Sequence, residues 1–117
     1  FPPVSIPSLT GPGSARVKKK KKITLTYSLT NTNYPGSYRL TLPGKTKNFK
    51  VISTTLNGAP ISSGGTTPTM SEGSVATIAI TYKGKKTTKK PVTTTVTATA
   101  VATPNRSATV TTKIKVK

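Results

Sequence analysis

Alternation, not helical spacing, runs through most of this chain. In ITLTYSLT, residues 23–30, Ile23, Leu25, Tyr27 and Leu29 take every second position, and Thr24, Thr26, Ser28 and Thr30 fill the gaps. Successive side chains point to opposite faces of a strand, so this spacing buries one face and wets the other. YRLTL (38–42) repeats the pattern and stops at Pro43-Gly44, and FKVISTTL (49–56) closes at the turn dipeptide Asn57-Gly58. VATIAITY (75–82) sets Ile78, Ile80 and Tyr82 on one face. VTTTVTATAVA (92–102) reads as a further strand, turned by Pro104-Asn105. In SATVTTKIKV (107–116), Ala108, Val110, Ile114 and Val116 oppose Thr109, Thr111, Lys113 and Lys115. Residues 31–36 and 59–74 are expected as loops, the second with one short edge strand near Ile61, and KGKKTTKK (83–90) as a charged hairpin loop. Thr, about a fifth of the chain, favours strands through its β-branch. Six or seven strands at near-regular spacing predict an all-β fold: an immunoglobulin-like Greek-key β-sandwich of about seven strands.

The first sixteen residues, FPPVSIPSLTGPGSAR, hold four Pro and two Gly, which excludes a helix. Val4, Ile6 and Leu9 still keep a short apolar beat. The expectation is an extended, Pro-rich arm over residues 1–16, with the sandwich domain over 17–117. Such an arm lies on its own domain or adds a strand to a neighbouring subunit.

Charge changes the picture most. The 117 residues carry 19 Lys plus Arg against one acidic side chain, Glu72, for a net charge of +18. Internal ion pairs are almost excluded, and the chain repels itself unless salt or an anionic partner screens it. The basic residues fall in four groups: Arg16 with Lys18, Lys19, Lys20, Lys21 and Lys22; Arg39 with Lys45, Lys47 and Lys50; Lys83, Lys85, Lys86, Lys89 and Lys90; and Arg106 with Lys113, Lys115 and Lys117. Lys113, Lys115 and Lys117 share one strand face at about 7 Å intervals. The candidate polyanion-binding residues are the lysines of the first, third and fourth groups. The plainer role for lysines on an outer face is to block edge-to-edge aggregation. Continuing the first strand's alternation backwards would bury Lys21 and Lys19, which unpaired ammonium groups do not tolerate. Burial is therefore expected to begin near Ile23, with the lysine run emerging at the sandwich edge.

Composition also excludes much chemistry. His and Cys are absent and Glu72 is the only acidic side chain, so Ser-His-Asp triads, paired-carboxylate sites and His or Cys metal sites lack their residues. Ser and Lys are too abundant for a Ser–Lys dyad to be read from their presence. No glycine-rich phosphate loop occurs. The chain is expected to be no enzyme and to carry no cofactor, metal or small-molecule substrate. Aromatic residues make up 5%, which does not suit base stacking, and Lys outnumbers Arg, so contacts to an anionic backbone are expected instead of base reading. Asn105-Arg106-Ser107 is an N-glycosylation sequon at Asn105. No apolar run approaches the roughly 20 residues of a membrane span. The start at Phe1 is expected to reflect a removed leader or a longer parent chain.

The stretches ITLTYSLTNTN, LTLPGKTKNFKVIS, NGAPISSGG and SEGSVATIAITYK resemble the conserved-repeat domain of prokaryotic cell-surface proteins, an immunoglobulin-like sandwich. Tyr27, Leu29 and Asn31 match its Tyr-x-Leu/Val-x-Asn strand, Leu42-Pro43 its Leu-Pro, and Gly73, Ala76 and Ile78 its Gly-x-x-Ala-x-Ile strand. The resemblance covers roughly residues 23–116 and implies an extracellular structural or adhesive role. The strongly basic balance departs from that family, where Asp is common near the Leu-Pro and this chain has Arg39. Two functions are therefore expected. The first is a structural subunit of an extracellular filament, surface layer or coat, a homo-oligomer or homopolymer assembled through the arm (Val4, Ile6, Leu9). Its basic surface would meet an acidic glycan, acidic protein or nucleic acid. The second is a nucleic-acid-coating, packaging or virion protein.

Overall fold

The computed structural model describes residues 5–44, 46–87, 89–101 and 106–117. Val4 and Asn105, expected in the assembly arm and as a glycan acceptor, lie outside the described residues. The chain is all-β. Its strands are β1 (Ser5–Thr10), β2 (Ser14–Val17), β3 (Lys22–Asn33), β4 (Tyr38–Thr41), β5 (Phe49–Leu56), β6 (Ala59–Pro60), β7 (Val75–Gly84), β8 (Val92–Ala100) and β9 (Ser107–Val116). They form a five-stranded sheet, β1-β3-β7-β5-β6, packed on a four-stranded sheet, β2-β9-β8-β4. Every pairing between named strands is antiparallel except β2 with β9, which is parallel. This is the immunoglobulin-like sandwich, with its first strand divided between the two sheets.

The alternation of the sequence places the core. Leu25, Tyr27 and Leu29 of β3 face Ile78, Ile80 and Tyr82 of β7 along one sheet's inner surface. Tyr38, Leu40, Val96, Ala98, Ile114 and Val116 line the other. Each large aliphatic or aromatic side chain so buried contributes about 1.5–3 kcal/mol. The outer faces are threonine ladders, with hydroxyls in contact at Thr24–Thr81 (2.9 Å) and Thr97–Thr109 (3.2 Å).

Two segments differ from expectation, and the arm takes one of its two expected courses. Of the arm expected over residues 1–16, residues 5–16 lie on their own domain and, with Val17, supply β1 and β2: Ser8 pairs with Thr30 and Leu9 with Leu29, while Ala15 pairs with Ile114. Gly11 lets the chain cross between the sheets, because a Cβ there would overlap the Tyr27 ring. Residues 31–33, expected as loop, extend β3, because Asn31 finds partners for its whole amide although fully buried. Its Nδ2 donates to the carbonyls of Met70 (2.8 Å) and Tyr34 (3.0 Å), and its Oδ1 accepts from the Tyr38 hydroxyl. The lysine-rich segment after Tyr82 is not a hairpin. β7 and β8 belong to different sheets, so the chain crosses the end of the sandwich there.

Candidate functional site

Strand direction gathers the lysines. β3 begins, β7 ends and β5 begins at one end of the sandwich, and β9 ends and β8 begins at the same end. The first sheet is joined to the second there by residues 18–21. The Lys19 N–H donates to the Lys117 carbonyl (2.8 Å), the Lys20 N–H to the Gly84 carbonyl (2.8 Å), and the Gly84 N–H to the Lys21 carbonyl (3.0 Å). Lys20 takes a left-handed backbone, φ 68°, which closes a tight turn between β2 and β3. Glycine is required opposite it. A Cβ at position 84 would stand 2.8 Å from the Lys18 carbonyl oxygen and 3.0 Å from Cγ1 of Val116.

Lys18, Lys19, Lys20, Lys21 and Lys22 are all exposed at this end, and burial begins beyond Ile23, itself half-buried. Lys83 lies at the end of β7. Lys85 and Lys86 follow it, their N–H groups donating to the Asn48 carbonyl (2.7 and 3.0 Å). Lys89 and Lys90 are exposed just before β8. Lys113 and Lys115 lie along the last part of β9 on its outer side, with Lys117 just beyond the strand and Arg16 of β2 directly beside Lys115. The structure thus brings together all the sequence-predicted lysines, and it splits two of the sequence groups. Lys47 and Lys50 belong to the lysine end, whereas Arg39 on β4 and Arg106 before β9 lie toward the other. Every lysine among the described residues sits toward this one end of a molecule 50 Å long and 25 by 20 Å across, Lys113 lying furthest from the tip, beside Ser14 and Thr93.

Sequence reasoning missed one arrangement. Lys22 pairs with Lys83 across β3 and β7, and Lys50 pairs with Lys83 across β5 and β7. Directly opposed residues share a face, and the neighbouring inner positions are Ile23, Tyr82 and Val51, so the three lysines form a row on the outer face. Strands lie about 4.8 Å apart. Like charges directly opposed are destabilising, and no acidic side chain is present at this end. The only acid, Glu72, lies in the turn where the Gly73 N–H meets the Asn31 carbonyl, at the opposite end. No signal in the sequence marked this row, since Lys22, Lys50 and Lys83 come from three separate segments.

The opposite end is built differently. It holds the Asn31 network, and it also carries Tyr34, Val75 and Val101, each at least half exposed. Near the lysines, Ile52 at the bulge of β5, two residues from Lys50, is an exposed large apolar side chain, so the lysine end is mainly ionic with one apolar position beside the row. A groove of about 550 Å³ bordered by Leu56, Pro60, Ile61 and Pro68 has no charged residue in its lining. Among the described residues no cluster of His, Cys, Asp or Glu could hold a metal, and no helix is long and apolar enough to cross a membrane. The buried phenols of Tyr27, Tyr38 and Tyr82 are raised above the usual tyrosine range by desolvation. Tyr82 is raised furthest, and its hydroxyl makes no hydrogen bond of normal geometry; the Thr94 hydroxyl offsets the effect only in part.

No protein-family model matches the chain, and no curated protein sequence matches it. Solved structures do resemble it in fold. The major pilin subunit BcpA of Bacillus cereus superposes with a TM-score of 0.59 at 7% identity, covering 95% of this chain and 40% of the pilin. The secreted serine protease VesC from Vibrio cholerae gives 0.57 at 10% identity, over 95% of this chain and 23% of the protease. A PapD-like domain of human CEP192 gives 0.51 at 9% identity, over 100% of this chain and 87% of that domain. The chain therefore spans less than half the length of the pilin and less than a quarter of the protease. At these identities the likeness establishes the immunoglobulin-like sandwich that the strand pattern predicted.

Proposed function

We propose that this chain is a structural, non-enzymatic domain of an extracellular or cell-surface filament, layer or coat, and that its lysine end docks on a polyanion. One observation carries the reading: every described lysine lies toward one end, on both outer faces and on the turns between them, with no acidic side chain among them. Lysines kept only for solubility would be spread over the whole surface. Support for the surface setting comes from the pilin and the secreted protease, which embed the same sandwich in longer chains. Assembly uses β1. It is an edge strand joined to the rest of the domain through Gly11-Pro12-Gly13, and the same strand of a neighbouring copy would reproduce its six-residue ladder on β3.

Two experiments test the two parts. The chain has no cysteine, so Ser8→Cys with Thr30→Cys places a single disulfide across the β1–β3 pair. Oxidised multimers that resist denaturant and separate on reduction are the expected result. Exclusively internal cross-links, in material that electron microscopy shows as polymer, overturn strand exchange. For docking, the protein is expected to bind heparin-agarose and duplex DNA with steep salt dependence. Elution at the ionic strength that releases an unrelated neutral domain overturns the polyanion reading. Polymers that fall apart on nuclease treatment would instead favour a nucleic-acid coat.

A further inference from the structure

We infer that the Lys22–Lys83–Lys50 row is the specificity element of the lysine end, and that it selects linear polymers whose phosphate or sulfate groups repeat at about 5 Å or less. The inference rests on the polyanion reading above and names the class of polymer. It starts from an arrangement that folding alone disfavours. Three lysines occupy consecutive strands at one level of one sheet face, their backbones at intervals of about 4.8 Å and spanning roughly 10 Å, so their ammonium groups emerge side by side. Opposed like charges oppose pairing. The same face offers another solution one step further along the ladder, where Thr24, Thr81 and Ser53 stand at the corresponding positions of the same strands. Lysine instead of threonine at Lys22, Lys83 and Lys50 thus costs stability in the free protein.

The strands fix where the row's side chains begin. Lys83 is flanked on both sides by paired strands and is half-buried, whereas Lys22 and Lys50 are exposed. The Lys83 ammonium therefore has the least freedom of the three and loses the least on binding. The intervals here are closer than the roughly 7 Å between alternate lysines on β9. A polymer with widely spaced carboxylates meets one ammonium of the row at a time; a polyphosphate or densely sulfated chain meets all three. Lysine acts as a point charge, so the selection is by charge spacing and not by the shape of each group.

The test uses the whole chain and two probes, long-chain polyphosphate and hyaluronan, compared at equal concentration of charge, with heparin as the sulfated counterpart. The parent is expected to prefer polyphosphate and heparin over hyaluronan. Lys83→Thr is expected to weaken polyphosphate binding about fivefold, from the value of one lysine near an anionic surface. It should also lower the slope of log affinity against log salt by about one, and narrow the preference over hyaluronan. Lys113→Thr, at the same end but on the other sheet, is expected to weaken binding less and to leave the preference intact. Arg106→Ser, with the same loss of charge at the far end, is expected to leave polyphosphate binding unchanged. In the absence of polymer, Lys83→Thr is expected to raise the melting temperature, a change opposite in sign to its effect on binding. Equal losses in Lys83→Thr and Lys113→Thr, or a parent that binds hyaluronan as tightly as polyphosphate, overturn the row. A parent that binds none of the three probes overturns the polyanion reading itself.

Discussion

Replacing Gly84 with alanine tests whether the fold itself holds the lysine turn in place. The added Cβ would stand 2.8 Å from the Lys18 carbonyl oxygen, 3.3 Å from its carbon and 3.0 Å from Cγ1 of Val116. Val116 is 1% exposed and packed in the core, so it has little room to yield. The Lys18 oxygen is backbone, and it moves only if residues 18–21 move. They are held by the hydrogen bonds from Lys19 to Lys117, from Lys20 to Gly84 and from Gly84 to Lys21. Losing two or three of these costs about 1–4.5 kcal/mol at about 0.5–1.5 each. Keeping them and compressing the contact costs about 1–3 kcal/mol. The smaller entropy of an unfolded chain with alanine returns about 0.4–1 kcal/mol. The net expectation is a loss of about 1–2 kcal/mol, which for a chain of this length lowers the melting temperature by about 4–8 °C. Thermal unfolding followed by circular dichroism measures the loss, and amide exchange at Lys19 and Lys20 reports the turn directly. A variant as stable as the parent, with unchanged protection at those two amides, refutes the clamp.

Tyr82→Phe removes a buried hydroxyl with no normal hydrogen bond while keeping the ring, which meets Phe49 edge-on with centroids 5.1 Å apart. The variant should be more stable by about 1 kcal/mol, since an unsatisfied buried polar group costs about 1–3 kcal/mol; destabilisation in urea unfolding would show that the hydroxyl is bonded. The same phenol predicts a pH dependence. Its pKa is raised in the fold, so its contribution is complete below the unfolded value of about 10 and is lost as pH rises above it, when only the unfolded chain gives up the proton. Unfolding at pH 8 and pH 11 should show a smaller alkaline loss in Tyr82→Phe than in the parent. Asn31→Ala strips the Tyr38 hydroxyl of its acceptor and three carbonyls of a donor, and is expected to cost about 2–3 kcal/mol without changing the salt at which the protein leaves heparin. A shifted elution would mean that the two ends are coupled.

The strand alternation was legible because a half-buried strand must repeat every two residues. Leu25, Tyr27 and Leu29 are buried, and Thr24 and Thr26 exposed, as the pattern requires. β5 was legible only in outline. Its pairing with β7 shifts between Val51 and Ser53, so beyond Ile52 the inward set becomes Thr54 and Leu56, which no local pattern announces. The cost of burying ammonium groups was enough to end the core near Ile23. The apolar beat of Ile6 and Leu9 was visible, but its partner was not, because the edge of its own sheet and that of a neighbouring copy offer the same backbone ladder. The Lys22–Lys83–Lys50 row was invisible for a related reason. Register between segments tens of residues apart is set by packing of the inner face, and the outer face follows passively.

That dependence of the outer face on the inner bears on why the charge is placed as it is. Repulsion among like charges falls with distance, so a chain of net charge +18 is least destabilised when its cations are evenly spread. This chain does the reverse and leaves most of the threonine-covered surface free of charge. Nothing in the core demands it: Lys22, Lys83 and Lys50 point away from the packed face, and threonine occupies equivalent outer positions along the same strands. The end without lysines has the fully satisfied amide of Asn31 and the exposed apolar side chains Tyr34, Val75 and Val101. A polyanion at the lysine end both removes the repulsion and stabilises the fold in proportion to its binding. The free domain should therefore gain stability from polyphosphate by more than it gains from sodium chloride of equal ionic strength, because salt screens the repulsion without occupying the row. Melting curves in the two solutions check this, and equal shifts would reduce the lysine end to a screened patch of surface charge.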